Sequence, residues 1–484
     1  MIKRFSFYVA SFALLILLTK CNVKKTSLSD STLLNQIKVG LSLVDTSGLV
    51  LTDGKFGNLI NGQSFQQDVL ASYKGWQYII YYNTDRNVCL GRRKLPDGVW
   101  QIIKFKDYHF SSSKNGENDS HNTASVGLCP NDGTIHLAFD HHRDELHYRV
   151  SNSDLLSHPE LIKWDASLFS PVRNYLEENQ TLISVTYPRF ITTLKGDMLF
   201  EYRFGGSGHG DTRIGYYNGS EHKWKNIHTV ISGKGIYKDP FNGDSEERNA
   251  YLNSVNYDDK GQVHISWTWR ERVSGTANRD ICHIYSKDDG DTWYNYKKEI
   301  VADRLSNKVV DTNTPNIQIR ALDRSWGMMN NGAQTIDHNG ILHAVMYHLK
   351  EKRSSPVWVR LNTGAYFHYY RDENGMEREL QLPATGNRPK LLVDKENNLY
   401  LVFVEKDPFD RTDKIAGFLK VLKATSQTKW TDWKEIFVSK EKYFNEVMVD
   451  LDLWQKSQTL SVMVQDKPGS LSAVSAPIEV IDFK

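Results

Sequence analysis

Apolar residues along this chain fall in short, dense runs separated by polar turns, and seven of those runs resemble one another. They read GWQYIIYYN (75–83), GTIHLAFDH (133–141), GDMLFEYRF (196–204), GQVHISWTW (261–269), GILHAVMYH (340–348), NNLYLVFVE (397–405) and QTLSVMVQD (458–466). Each opens on a Gly, Asn or Gln turn and continues into aliphatic and aromatic residues, the pattern of a buried strand. Five copies are followed by a tryptophan: Trp100, Trp164, Trp224, Trp293 and Trp433. A recurrence of this length, made of short apolar runs and turns, predicts an all-β fold, a β-propeller in which each repeat forms one blade of four antiparallel strands. Seven repeats predict seven blades.

The repeat changes how the length is read. A chain of 484 residues suggests about three domains. Blades bury their faces only against one another, however, so residues 41–484 are expected to form a single catalytic domain. Further strands follow the leading runs, as in ELHYRVS (145–151), RIGYYNG (213–219) and ICHIYSK (281–287). The turn SKDDGDTW (286–293) fits the Asp-box pattern, in which an acidic side chain and a glycine satisfy a hairpin while the tryptophan packs beneath. An insertion at 302–335 is expected to build a wall of the binding face.

Ahead of the repeats, Lys3 and Arg4 precede an apolar stretch from Phe5 to Leu18, too short to span a bilayer comfortably. Residues 1–21 therefore read as an export signal. Cys21 is placed for lipid attachment, although Lys20 occupies a position that normally holds a small residue. Residues 22–40 are polar and read as a tether. The expectation is a secreted or cell-surface lipoprotein with a lipid anchor. The remaining cysteines, Cys89, Cys129 and Cys282, are odd in number and irregularly spaced, so they are not a disulfide framework, and the first two read as buried thiols. A formal net charge of +2 argues against nucleic acid as a partner. A propeller closes on itself and hides its edges, so a monomer is expected.

The ends of innermost strands converge on one face of such a disc, so chemistry is expected from residues beside the repeats. FDHHRDE carries His141 and His142, EYRFGGSGHGD carries Arg203 and His209, and NDSHNTAS carries His121 and Asn122. SVTYPRF and RNAYLNS supply Tyr187 and Tyr251. The loops show no pair of carboxylates suited to glycoside hydrolysis. They carry no G-x-S-x-G elbow, and no phosphate-binding loop opens a helix. An imidazole, a phenol and a guanidinium together suit proton abstraction beside a carboxylate. Arginine neutralises the carboxylate, histidine is a base near neutral pH, and tyrosine protonates a departing oxygen or takes the proton itself.

His121–Asn122, His141, Tyr187, EYRFGGSGHGD with Arg203, and YLNS with Tyr251 resemble the motif set of the ulvan lyases of polysaccharide lyase family 25. The resemblance runs from about residue 40 to the C-terminus. It implies a seven-bladed propeller that cleaves a sulfated, uronate-containing algal polysaccharide by β-elimination between 3-sulfated rhamnose and glucuronic or iduronic acid. It further implies that His121 and Tyr187 are the base and acid, in an order left open. Asn122, His141, Arg203 and Tyr251 would bind substrate, and a structural zinc would be held by donors such as His209, Cys282 and His283. No cofactor is required for the chemistry itself. Arg270 and Lys104 are further basic residues that the sequence does not place. Two other readings stay open: a sialidase-like glycoside hydrolase, for which no Arg-Ile-Pro segment is found near the start of the domain, and a non-catalytic glycan-binding propeller.

Overall fold

Antiparallel pairing between chain neighbours accounts for almost every strand, as short turns between apolar runs dictate. The computed structural model describes residues 39–51, 60–62, 68–110, 118–359, 363–405, 416–470 and 472–483. The export signal, Cys21 and nearly all of the tether lie outside the described residues. The first strand, Val39–Leu49, begins two residues inside the segment read as tether. It pairs with the last, Ser475–Phe483, so the two ends of the described chain share one sheet.

Every one of the seven sequence phrases coincides with a strand: Trp76–Tyr82, Thr134–Phe139, Met198–Gly206, Val263–Glu271, Leu342–Leu349, Leu399–Glu405 and Leu460–Asp466. These lie in successive meanders, two of which merge through the long strand Lys434–Val449 into a seven-stranded sheet. Strand number varies among the other large sheets, from three around Thr134–Phe139 to six around Val263–Glu271. The runs do not alternate apolar with polar because both faces are covered: Trp76–Tyr82, Thr134–Phe139 and Leu342–Leu349 are buried at every position. Among the described residues the one α-helix is Leu451–Ser457, capped by Asp450, whose carboxylate accepts the Leu453 N–H at 2.9 Å.

The Asp-box turn forms as its residues require. Ser286 Oγ accepts the Gly290 N–H at 3.0 Å, and Asp288 Oδ1 accepts the Thr292 N–H at 2.8 Å. Gly290 sits at φ +101°, which a side chain would resist. Trp293 is wholly buried and donates to the Gly290 carbonyl at 2.8 Å. Cys89, Cys129 and Cys282 are free and buried. Part of the 302–335 insertion packs back on the fourth meander, where Gln318–Arg320 pairs with Asn278–Ser286. Its end carries Asn330 toward the candidate site.

Candidate active site

Three neighbouring meanders bring the catalytic candidates together through strand register. His142 pairs with Thr186, and Thr186 pairs with Arg203 on its other side, so a histidine and an arginine flank the strand Val185–Thr192. Tyr187 follows Thr186 at a bulge, with φ +54° and immediately before Pro188. A bulky residue in the left-handed region is costly, and a bulge interrupts the regular alternation of side chains along a strand. The result sets Tyr187 beside Arg203, whose guanidinium carbon lies 4.8 Å from the phenol ring centroid, and 6.1 Å from His121, ring to ring.

His121 comes from the turn before the strand Ala124–Cys129. Asp119 shapes that turn, accepting the His121 backbone N–H at 3.0 Å. The same carboxylate holds two imidazoles: Asp119 Oδ1 lies 2.7 Å from His121 Nδ1, and Oδ2 lies 2.6 Å from His142 Nδ1. The two rings stack with centroids 4.5 Å apart. An ionised carboxylate only accepts, so each Nδ1 carries the proton and each neutral ring keeps its Nε2 lone pair. Hydrogen bonds from both histidines outweigh burial and hold Asp119 well below the usual carboxylate range. Burial pushes His121 down to about 4, against the pull of Asp119 and helped by the charge of Arg203. Its side chain is nonetheless 16% exposed, so the ring is reachable. At neutral pH it is an unprotonated base.

Tyr251 lies on the next meander, between two guanidinium groups. Arg270 Nη1 donates to its hydroxyl at 3.0 Å, and Arg203 Cζ is 5.6 Å from its ring. Burial alone would raise this phenol, but Arg270 and Arg203 outweigh it and bring the pKa to about 8. Tyr187 differs: burial dominates and pushes it well above the ordinary value. Arg270 is oriented by Asn330, which accepts from Nη2 at 2.8 Å, and the Asn330 carbonyl accepts from Arg388 Nε at 3.1 Å. Arg203 donates through Nε to the Gly205 carbonyl at 3.2 Å, while its Nη1 and Nη2 are buried and make no hydrogen bond. Such nitrogens are rarely left unsatisfied without a role.

Not every candidate is at the site. His141 is wholly buried, and its Nε2 accepts the His147 backbone N–H at 2.6 Å. Its neighbour His142 takes the place expected for it, beside Asp119 and His121. Asn122 is also turned inward: its side-chain amide donates to Asp140, and its backbone carbonyl accepts from Tyr82 Oη at 2.9 Å. It supports the His121 turn. The expected zinc donors do not converge. His209 is largely exposed and pairs with Glu247 at 2.8 Å, whereas His283 pairs with His264 at 3.0 Å. Cys282 is buried in an apolar cluster with Trp267 and Trp269. Adjacent residues on a strand point to opposite faces, so Cys282 and His283 cannot share a tetrahedral site. The described residues hold one His/carboxylate group whose donor atoms lie within 4.8 Å of one another, Asp119, His121 and His142. Hydrogen bonds already account for its geometry. Lys104 is exposed on the strand Gln101–His109, in the first meander.

The residues missed from the sequence are Asp119, His142 as the ring beside His121, and Asn330, while Arg270, named from the sequence without a place, is found beside Tyr251. Asp119 carried a readable signal, since an Asp two residues before a histidine commonly forms such a turn.

The profile described as BNR repeat-containing family member matches residues 76–382, well over half of the chain. This chain belongs to the BNR repeat-containing family. Within reach of that BNR-repeat match, the long isoform of ulvan lyase from Pseudoalteromonas sp. (strain PLSV) is 22% identical over 379 residues, 70% of this chain and 36% of that protein. The long isoform from Alteromonas sp. is 23% identical over 406 residues, 74% of this chain and 39% of that protein. The chain thus spans less than two fifths of the length of these relatives. Among solved structures, the polysaccharide lyase Uly1 superposes with a TM-score of 0.71 at 17% identity, covering 92% of this chain and 99% of that one. A PL25 ulvan lyase bound to -[GlcA(1-4)Rha3S]- gives 0.62 at 12% identity, covering 91% and 94%. At these identities the superpositions establish the shared fold.

Proposed function

We propose that this BNR-repeat protein is a polysaccharide lyase that cleaves ulvan by β-elimination on a seven-bladed propeller, four strands to a blade. It would act outside the cell, after export directed by residues 1–21, as a monomer. The observation that carries the reading is the meeting of the His121 imidazole, the Tyr187 phenol and the buried, hydrogen-bond-free end of Arg203. The similarity to ulvan lyases supports the choice of substrate.

In this reading the uronate carboxylate sits against Arg203, with Tyr251 and Arg270 beside it. Cancelling its charge acidifies the C5 hydrogen and holds the negative charge that develops when the proton leaves. His121 Nε2 takes that proton. The C5 electron pair becomes the C4–C5 double bond as the bond from C4 to the glycosidic oxygen breaks, and the Tyr187 hydroxyl gives its proton to that oxygen. A phenol whose pKa lies well above the ordinary value is a proton donor at neutral pH, which favours this division of roles. These steps require no metal. Incubation with ulvan, pectin, alginate and a heparinoid polymer should produce ultraviolet absorbance of an unsaturated uronyl end on ulvan alone. New reducing ends on ulvan without that absorbance would replace elimination by hydrolysis.

The rate should follow a bell against pH. Below about 4 His121 is protonated and cannot accept the C5 proton, so kcat/KM rises as pH rises through that value. Above about 8 Tyr251 becomes a phenolate beside the carboxylate site and repels the substrate, so kcat/KM falls. Tyr251→Phe should flatten the alkaline limb. An alkaline limb that is unchanged in that variant would assign it to another group.

A further inference from the structure

A groove of about 550 Å³ lies between the fourth and fifth meanders, lined by the turns at the opposite end of the strands that carry Tyr251 and Arg270. The strand Arg248–Tyr257 runs from Tyr251 at the site to the turn holding Lys260 at the groove. Six residues of extended chain separate Tyr251 from Tyr257, about 20 Å. A sugar bound here is remote from the base.

Its walls combine cations with aromatic faces. Lys260, Lys287 and Lys298 are exposed along it and form no ion pair among the described residues. Lys287 Nζ lies 4.9 Å from the Tyr294 ring centroid, and Tyr294 stacks on Tyr285 with centroids 5.6 Å apart. Arg371 Cζ lies 4.1 Å from the ring of the exposed Tyr296. Two carboxylates also face the groove. Asp372 is occupied by its own turn, accepting the Asn374 and Met376 N–H groups and Arg378 Nε at 3.0, 2.9 and 2.8 Å. Glu373 remains exposed, and Glu377, outside the lining, pairs with Arg371 at 3.1 Å. Three lysines without ion-pair partners therefore outweigh one exposed carboxylate. Ammonium groups beside tyrosine faces suit a chain that alternates anionic groups with the C–H faces of sugar rings.

We infer that this groove is a second, non-catalytic site for a sulfated polysaccharide, holding the polymer while another stretch is cut. The choice of polyanion rests on the proposed lyase function; the groove and its charge do not. The test is electrophoresis through gels containing ulvan, desulfated ulvan, dextran sulfate or single-stranded DNA. It compares the full chain with a Lys260→Ala/Lys287→Ala/Lys298→Ala variant and with Tyr296→Ala, each checked for an unchanged melting transition. Ulvan should retard the full chain, and its apparent affinity should fall at least about threefold in the triple variant, with turnover of short ulvan oligosaccharides unchanged. Equal retardation of the full chain and both variants would overturn the inference. So would retardation by DNA as strong as by ulvan, which would mark a general polyanion surface. If the full chain fails to cleave ulvan yet shows lysine-dependent retardation by dextran sulfate, the groove stands and the lyase reading falls.

Discussion

His121→Ala is expected to lower the rate of double-bond formation on ulvan by about 10²–10⁴-fold, the usual contribution of a positioned base. The side chain is partly exposed and sits on a turn, so the melting transition should move little. His142→Ala is the informative companion, because the two rings stack and share one carboxylate. If His121 is the base, losing His142 should cost much less. A reversed order of effects would move the base to His142. Asp119→Asn probes the same arrangement through the proton positions. Oδ1 accepts both the backbone N–H and the Nδ1–H of His121, so an asparagine keeps its oxygen there and turns its NH2 to His142, whose Nδ1 must give up its proton, while His121 loses the negative charge that steadies its imidazolium. A loss of at least about tenfold is expected, with the fold retained. An Asp119→Asn enzyme of full activity would show that carboxylate orientation of the rings is not required.

Arg203→Ala should slow elimination by about 10²–10³-fold, the scale for removing one donor from a developing negative charge. Stability gives a second readout that separates a substrate-binding arginine from a structural one. The Nη1 and Nη2 groups are buried, and the faces of Tyr187 and Tyr251 offset only part of their desolvation, roughly 1–3 kcal/mol for such a group. Removing them should leave the melting temperature unchanged or raise it, a trade of stability for function. A variant that is inactive and also markedly less stable would instead make Arg203 a packing residue, through its contacts with Tyr187 and Tyr251. Arg203→Lys keeps one charge but loses the planar fork, so it should recover only part of the rate.

The sequence by itself determined what local physics controls. Seven apolar runs behind turn residues became seven buried strands, and the Asp-box turn folded from its own Ser286, Asp288 and Gly290. Buried thiols at Cys89 and Cys129 followed from an odd, unpatterned cysteine count. Backbone turns and strand burial depend on neighbours a few residues away, and those are written in order along the chain. What only the tertiary structure decided is which side chains face the cleft. His141 and His142 are equivalent on paper, yet the pairing of His142 with Thr186 two meander strands onward sends one ring to Asp119 and the other into the core. The strained φ of Tyr187 and the approach of Asn330 to Arg270 across sixty residues are settled in the same way. The zinc set failed for that reason too: His209, Cys282 and His283 are suitable ligand types, but strand alternation and burial point them to different surroundings. Direction at a strand end is fixed by register with another part of the chain, and residue identity does not carry it.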